Sequence, residues 1–220
     1  MIETPASAAP PHLRFSARGI EAVHAAAIPT LRVRLAIETA DERPIRGVAL
    51  NVRVLIAAER RRYDPAESER LGELFGSIDQ WPRSLGSVAW TQTALNVPPF
   101  ARETLVDVPL PCSYDFDVAA AKYLAALADG EVPIELLFNG NLFYSAADGR
   151  LQTAMIPWDS ETTLRMPMAV WREAVDTAFP DSGWLRVRRD TLRQLQAYRS
   201  RRRLTDWDQT LAALLSSSAE

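Results

Sequence analysis

Apolar and polar side chains alternate with a period of two along much of the chain. Leu31, Val33, Leu35 and Ile37 interleave with Arg32, Arg34 and Glu38, so residues 30–39 read as a strand with one buried and one solvated face. Leu13 to Ile20 alternates in the same way. The cluster Asp41-Glu-Arg-Pro44 is turn chemistry, and beyond it Val48, Leu50, Val52, Val54 and Ile56 share a face opposed by Asn51 and Arg53. These two strands are expected to form an antiparallel pair. Ser87 to Val97 and Glu103 to Pro109 read as further strands, separated by Pro98-Pro99. Val132 to Tyr144 is apolar enough for an interior strand, and Ala147-Asp-Gly149 turns it into Leu151 to Ile156.

Helical signals punctuate this pattern. Asp64 is an N-cap candidate followed by Pro65 and first-turn acids, which predicts a short helix running to Phe75. Val118 to Leu127 is strong by propensity, ends at Asp129-Gly130, and has Asp115 or Asp117 as its expected cap. Past Trp158 the character changes. Pro167 starts a helix through Phe179, Pro180 to Gly183 breaks it, and the tail reads as a short strand and two helices interrupted near Arg203 to Asp206. Thr205 or Asp206 is expected to cap the last helix, which carries Trp207, Leu211, Leu214 and Leu215 on one face. Together these elements predict an α+β fold, a mostly antiparallel β-sandwich of about six to nine strands with inserted helices and a C-terminal helical appendage. The expected organisation is a loose arm over 1–11, a β-sandwich-like domain over 12–166 and the appendage over 167–220.

Composition narrows the functional classes. A net charge of −3 and a pI near 5.6 supply no global attraction to nucleic acid or anionic lipid. Lys122 is the one lysine among 25 basic residues, and this arginine bias, spread along the whole chain with abundant alanine, suits a high-GC bacterial genome. Cys112 is a single cysteine, so neither an internal disulfide nor a cysteine-pair metal site is expected. The first residues lack the basic start and apolar stretch of an export signal, and no run approaches the roughly 18 apolar residues of a membrane span. A cytoplasmic location without membrane association is the expectation.

Candidate chemistry is sparse. His12 and His24 have no carboxylate or cysteine at ligand spacing and read as surface residues. Cys112 precedes a helix start but has no histidine near it in sequence to serve as a base, so a buried side chain at a strand-to-helix junction is the better reading. Asp115 and Asp117 are explained by capping. Asn139-Gly-Asn141 interrupts an apolar strand, which points to a bulge in preference to a close backbone approach by a partner. The nine glycines form no nucleotide-binding pattern. We therefore assign no catalytic residue, no metal ligand and no cofactor. Enzymatic use of carboxylates would require acids to converge in a pocket with shifted pKa values.

Two features point to macromolecular contact. Six tryptophans are scattered at element ends, which favours core packing, with Trp158 in Pro157-Trp-Asp159 the preferred anchor for a partner and Asp159 beside it. The second feature is the tail. Residues 181–220 hold eight arginines against five acids, a local +3 that leaves −6 for the rest, and Arg199, Arg201, Arg202 and Arg203 are its densest group. Trp184 to Leu215 resembles the strand, helix, turn and helix of ribbon-helix-helix repressors, with Arg186 and Arg188 alternating with Leu185 and Val187. That resemblance implies a dimer reading the major groove through a paired strand. Its position behind a large β domain departs from the usual placement, so a solvated arginine face on a docked helical appendage is the first reading, with contact to protein expected ahead of contact to nucleic acid.

At full length, Pro111-Cys-Ser-Tyr-Asp-Phe-Asp-Val-Ala-Ala-Ala-Lys-Tyr-Leu-Ala-Ala-Leu-Ala-Asp-Gly-Glu-Val-Pro133 and Met168-Ala-Val-Trp-Arg-Glu173, with the tail, resemble an uncharacterised family of high-GC bacteria. Some of its members are encoded near actinobacterial-type nickel-iron uptake hydrogenases. The resemblance spans about residues 13 to 215 and implies a context, assembly or maturation of a redox enzyme, without assigning a role to any residue. The expected function is that of a non-enzymatic accessory protein that binds another protein; a DNA-associated regulator acting through the tail is the alternative.

Overall fold

The computed structural model describes residues 9–112, 118–180, 182 and 186–217. Among these described residues, eight strands form two antiparallel sheets. Sheet A contains β1 (Arg14–Ala22), β2 (Thr30–Glu38) and β5 (Glu103–Pro111), in the order β1-β2-β5. Sheet B runs β4 (Val88–Val97), β3 (Ile45–Ile56), β6 (Glu131–Ser145) and β7 (Leu151–Met155), with β8 (Glu161–Pro167) also paired to β6. The architecture is α+β and consistent with a β-sandwich.

The alternation in β2 and β3 does what a period of two predicts, burying Leu31, Val33, Leu35 and Ile37 from one sheet and Val48, Leu50, Val52, Val54 and Ile56 from the other. The rings of Phe15 in β1 and Phe138 in β6 stack at 4.2 Å and tie the two inner faces together. The expected β2–β3 hairpin does not form. β2 is flanked by β1 and β5, and β3 by β4 and β6, so the segment around Asp41 to Pro44 carries the chain between sheets. Each strand buries one face against the other sheet, an arrangement that alternation predicts equally well. β8 was not anticipated. Its inward positions are Thr162, Leu164 and Met166, too few apolar residues to stand out, and Pro167 closes it.

Helix α1 (Pro65–Phe75) begins with a capping box: the Asp64 carboxylate accepts the Glu67 N–H at 2.7 Å, and Glu67 reaches back to the Asp64 N–H. After the short α2 (Trp81–Ser84), α3 (Ala119–Ala126) starts behind Val118 with no side-chain cap, while Asp115 and Asp117 lie outside the described residues. Helix α4 (Met168–Ala178) buries Met168 and Ala174 and packs on β1, β2 and β8. It therefore belongs with the sheets. The chain divides into compact units Met1–Gly183 and Trp184–Glu220, later than the boundary at 167 that the change in sequence character suggested.

The second unit contains α5 (Arg189–Arg202) and α6 (Trp207–Ser217). Arg203 ends α5 in the left-handed conformation at φ 56°, and the Asp206 carboxylate caps α6 by accepting the Gln209 N–H at 2.8 Å. Arg186 to Arg188 are not in a strand, and Trp184 and Leu185 lie outside the described residues, so the described tail provides two helices without the ribbon of the repressor motif.

Candidate interaction site

The long strand β6 changes partner along one edge. Its residues 131–137 pair with β8 and 141–145 with β7, and the chain joining those two strands must leave the sheet between them. Two backbone hydrogen bonds fix the exit and the return: the Ile156 N–H donates to the Gly140 carbonyl at 3.0 Å, and the Phe138 N–H donates to the Ser160 carbonyl at 2.9 Å. A turn closed by the Ser160 N–H on the Pro157 carbonyl at 3.1 Å carries Trp158 and Asp159 at its tip. Trp158 is 92 % exposed. A tryptophan held on a turn tethered at both ends, with its ring in solvent, contributes little to packing.

A groove of about 310 Å³ lies beside this turn, lined by His12 to Ser16 from the start of β1 and by Asp159 to Glu161. His12 is exposed there, and it belongs to no group of three His, Cys, Asp or Glu side chains placed to hold a metal among the described residues. His24 contacts Glu173 at 3.2 Å, with both side chains more than half exposed. Met155 and Leu151 of β7 are also strongly exposed, and Asn51 and Asn139 bond across the same outer face of sheet B at 3.2 Å. Sheet A presents a contrasting outer face, where Arg18, Arg32 and Arg34 pair with Glu21, Glu38, Glu103 and Asp107 in a solvent-exposed lattice.

Gly140 is not a bulge. Pairing with β3 runs without a register shift through Asn51–Asn139, Leu50–Gly140 and Ala49–Asn141. Its φ is +139°, and a Cβ at this position would meet the Ala49 carbonyl oxygen at 2.0 Å, so close approach by the neighbouring strand is what requires glycine.

Among the described residues, the buried groups with potential chemistry are held in the interior of the fold. Cys112 is buried, and burial pushes its thiol up to about 12. Native protein at pH 7.5 is therefore expected to react with iodoacetamide at least ~100-fold more slowly than the urea-unfolded chain, as followed by intact-mass spectrometry. Glu67 is the buried carboxylate closest to a catalytic candidate, and sequence reasoning recognised it only as a first-turn acid. Its oxygens accept both terminal nitrogens of Arg61, at 2.8 and 2.9 Å, and the Ala128 N–H at 2.9 Å. The Arg61 guanidinium holds the Glu67 carboxyl at about 2, far below the ordinary carboxylate range. Tyr63 and Tyr123 share a hydrogen bond at 2.8 Å, and burial raises both phenols. Among the described residues no three His, Cys, Asp or Glu side chains group to hold a metal, and no helix is long and apolar enough to cross a membrane.

The tail arginines lie in the other unit. Arg199 stacks over the Trp207 ring at 4.6 Å, and Arg202 lies 5.6 Å from the Tyr198 ring centre. Arg201 and Arg203 are exposed at the same end of α5. Trp158 and Asp159 thus share one turn, and the four arginines share one helix end.

Comparison with known proteins places this arrangement in a family. Residues 10–220 match a family described as a family of unknown function, DUF6084. The chain belongs to that family. No curated protein matches it. Solved structures similar to this DUF6084 chain include the CARDB domain of a Pyrococcus furiosus protein, at 7 % identity and TM-score 0.27, covering 71 % of this chain and 87 % of that one. The putative ApaA protein from Bordetella pertussis aligns at 17 % identity and TM-score 0.26, over 72 % and 96 %. β-Glucosidase 3B from Thermotoga neapolitana aligns at 12 % and 0.25, over 70 % of this chain and 17 % of its own.

Proposed function

We propose that the protein is a non-enzymatic interaction module that holds another protein through the Trp158 turn and the groove beside Asp159. The reading rests on one observation, the 92 % exposure of Trp158 on a turn fixed at both ends by β6. Large aromatic side chains lose little entropy on binding and dominate interface energetics. Arg199, Arg201, Arg202 and Arg203 supply a second contact suited to carboxylates on the partner, because guanidinium groups bind them in pairs of parallel hydrogen bonds. The partner sought first is a component of a nickel-iron uptake hydrogenase or its maturation apparatus, the context carried by the family resemblance.

The test is crosslinked capture of the tagged chain in its native host, comparing wild type with Trp158→Ala. A defined protein is expected in stoichiometric amount with wild type, its affinity about 30-fold weaker for the variant, since an aromatic hot spot is worth about 2 kcal/mol or more. The melting temperature should not change. Wild type recovered alone at physiological salt, or equal capture by both, would refute the module. A captured protein unrelated to hydrogenases would remove only that assignment.

A further inference from the structure

The strand β7 ends sheet B, and among the described residues of its own unit its outer edge lacks the usual protections. Leu151-Gln-Thr-Ala-Met155 contains no charge and no proline, and Leu151 and Met155 are 63 % and 81 % exposed. Native proteins normally block such an edge with lysine, proline, a bulge or a covering element.

The direction of its backbone groups follows from its neighbours. The Ile156 N–H reaches the Gly140 carbonyl, and the Arg150 carbonyl accepts the Ala146 N–H, so the even-numbered residues bond inward to β6. Leu151, Thr153 and Met155 therefore turn their N–H and C=O groups outward. Their side chains also lie together on the outer face of the sheet, because Met155 and Thr153 sit opposite Asn141 and Phe143.

We propose that this edge pairs with the same edge of a second copy, antiparallel about a two-fold axis through Thr153. In that register Thr153 faces Thr153 of the second copy, and Leu151 faces Met155 of the second copy. All three outward residues fall in hydrogen-bonded positions, giving roughly six backbone bonds. The self-complementarity selects this occupant. Each exposed apolar side chain meets the other kind across the axis, and the neutral strand sets no like charges against each other. The two sheets B become one continuous sheet. Both Trp158 turns lie outside the paired segment, so the dimer presents the anchor twice, although the pairing itself does not depend on what Trp158 binds. A five-residue edge forms a small interface, and a dissociation constant in the micromolar range is expected.

Sedimentation velocity on the full chain between about 1 and 500 μM tests the proposal. Wild type is expected to pass from monomer to dimer across this range. Thr153→Pro removes an outward donor without touching the β6 ladder and should stay monomeric with an unchanged circular dichroism spectrum. The register has its own test. Leu151→Lys with Met155→Lys places like charges opposite each other and should abolish the dimer, whereas Leu151→Lys with Met155→Glu places opposite charges there and should restore it. Trp158→Ala should dimerise as wild type does, which separates this proposal from partner capture. Wild type monomeric throughout, Thr153→Pro dimerising normally, or equal association of the two charge variants would overturn it.

Discussion

Gly140→Ala is expected to destabilise the protein by at least about 3 kcal/mol, read as a lower urea midpoint with an unchanged slope. The argument is steric and local. At φ +139° the added methyl carbon would lie 2.0 Å from the Ala49 carbonyl oxygen and 3.1 Å from its carbon, and both atoms belong to the backbone of β3. No rotamer relieves that contact. Either β6 adopts a different conformation, which breaks the Gly140 acceptance of the Ile156 N–H, or β3 moves away at the sheet's most extensively paired position. Backbone strain alone accounts for about 1 to 3 kcal/mol, and displacement of a central strand adds to it. Gly149→Ala is the matched control: its φ is +82°, but the added atom meets nothing within 4 Å, so only the left-handed penalty of about 1 to 2 kcal/mol applies. Similar losses for the two variants would show that the close approach of β3 is not the constraint.

The same glycine marks the limit of what local pattern conveys. Asn139-Gly-Asn141 within an apolar run signalled an irregularity, but whether the chain bulges or a neighbour comes close depends on Ala49, some ninety residues earlier. The strands around Leu31 to Ile37 and Val48 to Ile56 were legible because alternation reports which face is buried. Their pairing was not, since a strand covered by another sheet and one paired in a hairpin have the same period. β8 was lost because an edge strand shows the core only every second residue, here Thr162, Leu164 and Met166. Trp158 stood out only as one of six tryptophans, set between Pro157 and Asp159. The reason it projects, the exchange of β8 for β7 along β6, is a property of three strands together and of no single segment. The α1 capping signals were readable because they act over three residues, whereas the use of Glu67 by Arg61 and by the distant Ala128 N–H was not.

Glu67→Gln is expected to cost about 3 to 5 kcal/mol, because it leaves the Arg61 guanidinium buried without its counter-charge. The side chains of Arg61 and Glu67 are 10 % and 5 % exposed, so water cannot readily replace the lost partner. Arg61 also donates to the Asp129 and Glu131 carbonyls, at 2.6 and 3.2 Å, which joins the start of α1 to the residues leading into β6. Arg61→Ala should therefore cost a comparable amount, and the double variant clearly less than the sum of the two, since each single change exposes the same broken pair. The sign of the pH dependence follows from the lowered carboxyl. Glu67 sits at about 2 in the folded protein against an ordinary 4.5, so the unfolded chain takes up this proton first as the medium is acidified. Its contribution is complete above about pH 5 and is lost progressively as pH falls through 4.5 toward 2. Urea unfolding of wild type between pH 6 and 3 should show this decline, and Glu67→Gln should show a shallower one, with the two curves converging at the acid end. Parallel curves, or additive costs in the double variant, would mean that the pair does not hold α1 to the sheet.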